Sequence, residues 1–198
     1  MPALRPDLNP HIDPDGLLEF SVVYTDRALN HMSQQFQQVM RDLSADLKAV
    51  YHADAVAIIP GTGTYAMEAV ARQLATDKDV LIIRNGWFSY RWTQIIDKAR
   101  ITPHARVLTA HAADDHTPNQ AYAPVDIDTA VAAIYEHKPA VVFAPHVETA
   151  AGIILPDDYI KALSDAVHSV GGLLVIDCIA SGCVWLDMQT LGIDVLIS

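Results

Sequence analysis

The chain has 198 residues, of which 51% are apolar and 19% charged, and its formal net charge is −11. That length and apolar content suffice for one packed core of ordinary size, or for part of a larger one. The negative charge argues against a nucleic-acid or anionic-membrane surface, and no uncharged apolar run reaches the ~18 residues of a bilayer-spanning helix.

Residues 1–16 hold four Pro and three Asp and no apolar stretch, so they are read as an extended N-terminal arm, not a secretory leader. From there Met32, Phe36, Val39, Met40, Leu43, Leu47 and Val50 recur at helical spacing over about five turns. Asn30 or Ser33 can cap this helix, and the spacing predicts one buried face. The run Ala55-Val56-Ala57-Ile58-Ile59, stopped by Pro60-Gly61, predicts a buried strand. A helix is expected over 65–74, a strand at Val80-Leu81-Ile82-Ile83, a helix over 87–100 and a short strand at Val107-Leu108. Residues 110–125 carry breakers and no period, and predict a loop. A helix over 127–135, a strand at Val141-Val142-Phe143 and a helix over 157–169 ended by Gly171-Gly172 follow. The last expected elements are the strands Leu173-Leu174-Val175-Ile176 and Val195-Leu196-Ile197, with a loop between them. Continuously apolar strands alternating with helices predict an α/β fold, a mostly parallel sheet with helices on both faces. In such sheets ligand groups gather just past the carboxyl ends of the strands.

Two features stand at those ends. Gly61-Thr62-Gly63-Thr64 follows an expected strand and opens an expected helix. Glycines let the backbone approach an anion, helix-start amides and the helix dipole favour phosphate, and two threonines add hydroxyl donors. The second feature is Asp177, directly after an apolar strand. A carboxylate so placed needs a partner. It either caps a loop or pairs with a cation, and one such cation is a protonated ring nitrogen. Two further segments sit at strand ends: Asn85-Gly86-Trp87-Phe88, whose aromatics suit either a flat ring or the core, and His146-Val147-Glu148-Thr149, whose threonine is either a ring contact or a loop residue.

The glycine turn also fits a rival. Gly61-Thr62-Gly63-Thr64-Tyr65-Ala66 matches the G-x-G-x-x-A form of the dinucleotide fingerprint, and Arg84 lies past the next strand, where it could meet a 2′-phosphate. That reading is an NADP-dependent oxidoreductase. The two cysteines, Cys178 and Cys183, are too few for a disulfide framework or a zinc site and read as ordinary thiols in a reducing cytoplasm. His111 and His116 around Asp114-Asp115 match no metal signature, so no metal is expected.

Taken in order, Asn30-His31-Met32-Ser33, Gly61-Thr62-Gly63-Thr64, Asn85-Gly86-Trp87-Phe88, His146-Val147-Glu148-Thr149, Leu174-Val175-Ile176-Asp177 and Leu191-Gly192-Ile193-Asp194-Val195 resemble the class V aminotransferases. These are fold type I pyridoxal-phosphate enzymes, and the likeness is nearest to the alanine–glyoxylate and serine–pyruvate group. The resemblance implies that 17–198 form the N-terminal part of the large cofactor domain, without the small domain. It implies pyridoxal 5′-phosphate as cofactor, with Thr62, Gly63 and Thr64 on its phosphate, Phe88 stacked on one ring face and Ile179 packed on the other. Thr149 would contact the phenolic oxygen and Asp177 the ring nitrogen. It further implies a cytoplasmic homodimer acting on a small amino acid and a 2-oxo acid such as glyoxylate or pyruvate. A lyase or desulfurase on the same fold is the nearest alternative.

The family lysine that carries the cofactor follows the Ile-Asp-Val strand. The five lysines here, Lys48, Lys78, Lys98, Lys138 and Lys161, all lie elsewhere in the sequence. The 198 residues alone are therefore not expected to be a competent transaminase.

Overall fold

The computed structural model describes residues 34–112 and 120–198. The expected arm over 1–16, the segment Asn30-His31-Met32-Ser33 with its caps, and the His116 and Asp114-Asp115 stretch lie outside the described residues. The chain divides into two compact units, Met1–Leu47 and Lys48–Ser198. Helix α1 (Gln34–Tyr51) forms as its spacing predicts, yet Val39, Leu43 and Val50 are exposed. The expected buried face is thereby corrected: helical spacing decides which side chains share a face, and burial requires a second surface to meet it.

In the second unit α2 (Gly63–Leu74) leads to β1 (Val80–Arg84), α3 (Tyr90–Lys98) and β2 (Ala105–Thr109). Next come β3 (His111–Ala112), β4 (Tyr122–Ala123), α4 (Ile127–His137) and β5 (Val141–Pro145). A hairpin of β6 (Val147–Glu148) and β7 (Ile153–Ile154) precedes α5 (Asp157–Ser169), β8 (Leu173–Asp177), α6 (Met188–Leu191) and β9 (Val195–Ile197). Five strands run parallel in the order β2-β1-β5-β8-β9. The order reverses between β1 and β5, which opens a crevice at their carboxyl ends.

Alternate residues of each strand feed opposite cores. Leu81, Ile83, Val142, Ala144, Leu174 and Ile176 pack with residues of α4, α5 and α6. Val80, Ile82, Val141, Phe143 and Val175 pack with α2 and α3, where Trp92 stacks on Phe143 at 4.3 Å between ring centroids. Each large side chain buried this way contributes about 1.5–3 kcal/mol. The parallel sheet covered on both faces is the architecture expected.

Several expectations are corrected. Residues 55–59 form no strand, and Ile58 and Ile59 are exposed. A strand satisfies its backbone groups only through a neighbour, and no described strand pairs with this run. Residues 87–89 form a turn, not the first turn of a helix. The expected loop at 110–125 includes the antiparallel pair β3–β4. The β6–β7 hairpin and α6 had no period long enough to announce them.

Candidate functional site

Asp177 ends β8, beside Pro145 of β5 and Ile197 of β9. It falls two residues after Val175, so its side chain shares the α2–α3 face. It is 9% exposed, and its Oδ1 accepts the Ile179 amide at 3.0 Å. No other described group donates to its carboxylate. Burial raises its pKa above the ordinary carboxylate value, the Ile179 hydrogen bond opposes the rise, and the charge of Glu148 adds to it. An acid in this condition is short of a cationic or N–H partner.

The glycine turn comes to the same place. Thr62 is the N-cap residue of α2 in extended conformation, and its side chain makes no capping bond. The Tyr65 amide donates to the Thr62 carbonyl at 2.9 Å, which leaves the Gly63 and Thr64 amides at the helix start without an intrahelical acceptor. Gly61 has φ +152°, where side-chain-bearing residues are rare. A Cβ on Gly63 would lie 2.2 Å from Ile179 Cδ1, so this position tolerates no side chain while Ile179 stays where it is. Gly63, Ile179 and Asp177 are thus brought together, with Thr62 and Thr64 flanking. The donor set fits a group with an anion at one end and a protonated ring nitrogen at the other, the ends of pyridoxal phosphate.

Phe88 and Trp87 are exposed in the turn between β1 and α3. The turn is tied to Glu148, which is fully buried. Glu148 accepts the amides of Phe88 at 3.2 Å and Ser89 at 2.9 Å, the Ser89 hydroxyl at 2.7 Å and the Ala150 amide at 3.2 Å. Ser89 Oγ in turn accepts the amides of Asn85 at 2.9 Å and Gly86 at 3.0 Å. Thr149, next to Glu148, is exposed at the hairpin turn. Sequence reasoning assigned nothing to Glu148 or Ser89. The available signal was an acid three residues past an apolar strand, which must find donors if it is buried.

On the opposite face at the same edge, His146 is buried and its Nδ1 lies 2.7 Å from Ser181 Oγ. Burial lowers its pKa, with the charge of Asp157 opposing. Burial also pushes the Cys178 thiol up to about 12, against a hydrogen bond from Ser181 and with the Asp177 charge adding to the rise, so it is no thiolate nucleophile at neutral pH. None of the five lysines stands at this edge. Lys78 and Lys138 precede β1 and β5, Lys98 ends α3, Lys48 lies in α1, and Lys161 pairs with Asp165 within α5.

Comparisons with known proteins agree with this geometry. The family model Aminotransferase class-V matches residues 18–198. Alanine–glyoxylate aminotransferase of Mus musculus is 25% identical over 176 residues, covering 87% of this chain and 39% of that protein. The 2-aminoethylphosphonate–pyruvate transaminase 1 of Burkholderia lata is 30% identical over 170 residues, covering 82% of this chain and 42% of that protein. The crystal structure of ureidoglycine-glyoxylate aminotransferase from Bacillus subtilis superposes with a TM-score of 0.71 at 22% identity, over 84% of this chain and 40% of that one, a likeness of fold. The chain spans about two fifths of the length of these relatives. It belongs to the class V aminotransferase family.

Proposed function

We propose that the protein carrying this chain is a pyridoxal-phosphate-dependent aminotransferase that moves an amino group from a small amino acid to a 2-oxo acid such as glyoxylate or pyruvate. The observation that carries the proposal is the convergence of buried Asp177 with exposed Ile179 and with Gly63 at the open start of α2. Family membership supports the cofactor, and 17–198 are read as the N-terminal part of its large domain.

Bound pyridoxal phosphate supplies an electron sink for negative charge developing on the amino-acid α-carbon. The first amides of α2, with the Thr62 and Thr64 hydroxyls, bind and orient the phosphate. Asp177 holds a proton on the ring nitrogen, and its burial strengthens that charge pairing. Phe88 and Ile179 flank the ring and exclude water, and Thr149 donates to the phenolic oxygen. The amine that carries the cofactor and moves the α-proton is supplied by none of Lys48, Lys78, Lys98, Lys138 or Lys161, so residues 1–198 alone are inactive as a transaminase.

The rival dinucleotide reading loses its footing, because its fingerprint needs a strand before the glycine turn and 55–59 form none. Arg84, its proposed 2′-phosphate contact, lies over the Tyr90 ring at 5.2 Å. The desulfurase reading lacks its nucleophile at Cys178. We further propose a cytoplasmic homodimer. The dimer rests on the family resemblance and on exposed Tyr65 and Trp87 near the site, the compartment on two free cysteines. No described helix is long and apolar enough to cross a membrane.

The test is to add pyridoxal phosphate to the full-length protein and follow visible absorbance, then to supply alanine or serine with glyoxylate or pyruvate. Absorbance that borohydride fixes covalently, with amino-group transfer, is expected. A colourless protein that gains no absorbance from the cofactor would sink the proposal.

A further inference from the structure

We propose that Glu148 is a positioning residue that sets where Phe88 stands against the cofactor ring and spaces it from Thr149. The inference rests on the aminotransferase reading above. Phe88 is 53% exposed, so core packing does not fix its ring. Its location follows from its backbone, and residues 86–89 are neither helix nor strand. The amides of Asn85, Gly86, Phe88 and Ser89 all end on two side chains, Ser89 Oγ and the Glu148 carboxylate. Ser89 Oγ itself donates to Glu148, so the whole turn takes its reference from one group.

That group belongs to β6, on the other side of the crevice between β1 and β5, immediately before Thr149. A carboxylate offers about four acceptor sites, and Phe88 N–H, Ser89 N–H, Ser89 O–H and Ala150 N–H fill them. The approach is close: a Cβ on Gly86 would lie 2.7 Å from Glu148 Cγ. One buried charge therefore joins the wall that would stack the ring to the turn that would meet its phenolic oxygen. Glu148→Gln keeps the volume but turns an acceptor oxygen into a donor that faces N–H groups, so the turn must shift.

The experiment measures binding of pyridoxal phosphate, and separately of inorganic phosphate, by equilibrium dialysis with the full-length protein. Wild type, Glu148→Gln, Phe88→Ala and the double variant form a cycle. Glu148→Gln is expected to weaken pyridoxal phosphate about tenfold alone but less than about twofold in the Phe88→Ala background, since coupled residues are not additive. Inorganic phosphate, which would meet only the start of α2, should bind all four alike. Equal weakening with and without Phe88, or no weakening, overturns the role of Glu148. Failure of the wild type to bind pyridoxal phosphate overturns the aminotransferase reading, and this inference with it. Should Glu148→Gln fail to fold, Ser89→Ala replaces it: a loss of about threefold that vanishes without Phe88 is expected from removing one hydrogen bond, and a loss independent of Phe88 overturns the inference.

Discussion

His146 directly follows β5 and Asp177 ends the adjacent strand β8 at the same edge of the sheet, and the His146 amide donates to the Asp177 carbonyl at 2.8 Å. Both are buried and titratable, yet they face opposite sides. His146 lies within reach of the charge of Asp157 at the start of α5 and is matched by Ser181. Asp177 looks toward the α2–α3 face and has, among the described residues, only the Ile179 amide as a donor, next to exposed Ile179, which packs against Gly63 at the start of α2. A satisfied buried group is part of the scaffold. A buried group left short of a partner, next to open surface, marks the face that takes a ligand.

The comparison breaks first at Asp177→Asn in the full-length protein. A neutral amide cannot hold the ring nitrogen protonated, and loss of one preorganised charge predicts a fall in turnover of about 10²-fold or more. Cofactor affinity should fall less, since the phosphate contacts remain. Turnover near wild type would make Asp177 structural. His146→Ala should act the other way: about 2–3 kcal/mol of stability lost in denaturant unfolding, from a cavity and an orphaned Ser181 hydroxyl, with cofactor affinity nearly unchanged.

Titration sharpens the contrast, because the two groups give opposite slopes. Burial holds the folded pKa of His146 below its ordinary value of 6.5, so unfolded chains take up the proton more readily. Stability from this group is present above 6.5 and is lost as pH falls below it. The folded pKa of Asp177 lies above 3.8, so the native state holds its proton more tightly. Its contribution is best at low pH and declines as pH rises through the folded value. In cofactor-free protein, Asp177→Asn should therefore raise the melting temperature at neutral pH, and His146→Ala should flatten the loss on mild acidification. Melting curves across about pH 4 to 8 check both.

The smallest effect belongs to Asp187, a partly exposed carboxylate whose pKa is drawn down to about 2 by the Thr190 amide and by His52. Its contribution should persist above its ordinary value of 3.8 and fade as pH drops toward 2. Asp187→Asn should remove that fading and lower the neutral-pH melting temperature slightly, because the contribution lost is the one present above 3.8.

Much of this edge was legible in the sequence. One charge directly after Leu173-Leu174-Val175-Ile176 singled out Asp177, and the glycines of 61–64 singled out the start of α2. The strands β1, β5, β8 and β9 announced themselves as apolar runs, because both faces of the sheet are covered. Residues 55–59 carried the same local pattern and failed, since a ladder is a property of two segments and the sequence of one does not disclose the other. Glu148 was missed for a related reason. Two of its partners are the Phe88 and Ser89 amides, 60 and 59 positions away, and backbone donors carry no residue-type signature. The two-residue strands of β3–β4 and β6–β7 are too short to hold a period at all.

The knot of Ser89 and Glu148 also bears on how this surface breathes. Turn amides normally exchange their hydrogens with solvent quickly, yet those of Asn85, Gly86, Phe88 and Ser89 are each committed to a side-chain acceptor. They should exchange as slowly as the ends of the neighbouring strands, and release together when the β6–β7 hairpin lifts. An exposed aromatic edge can in this way ride on a backbone that opens only as a unit.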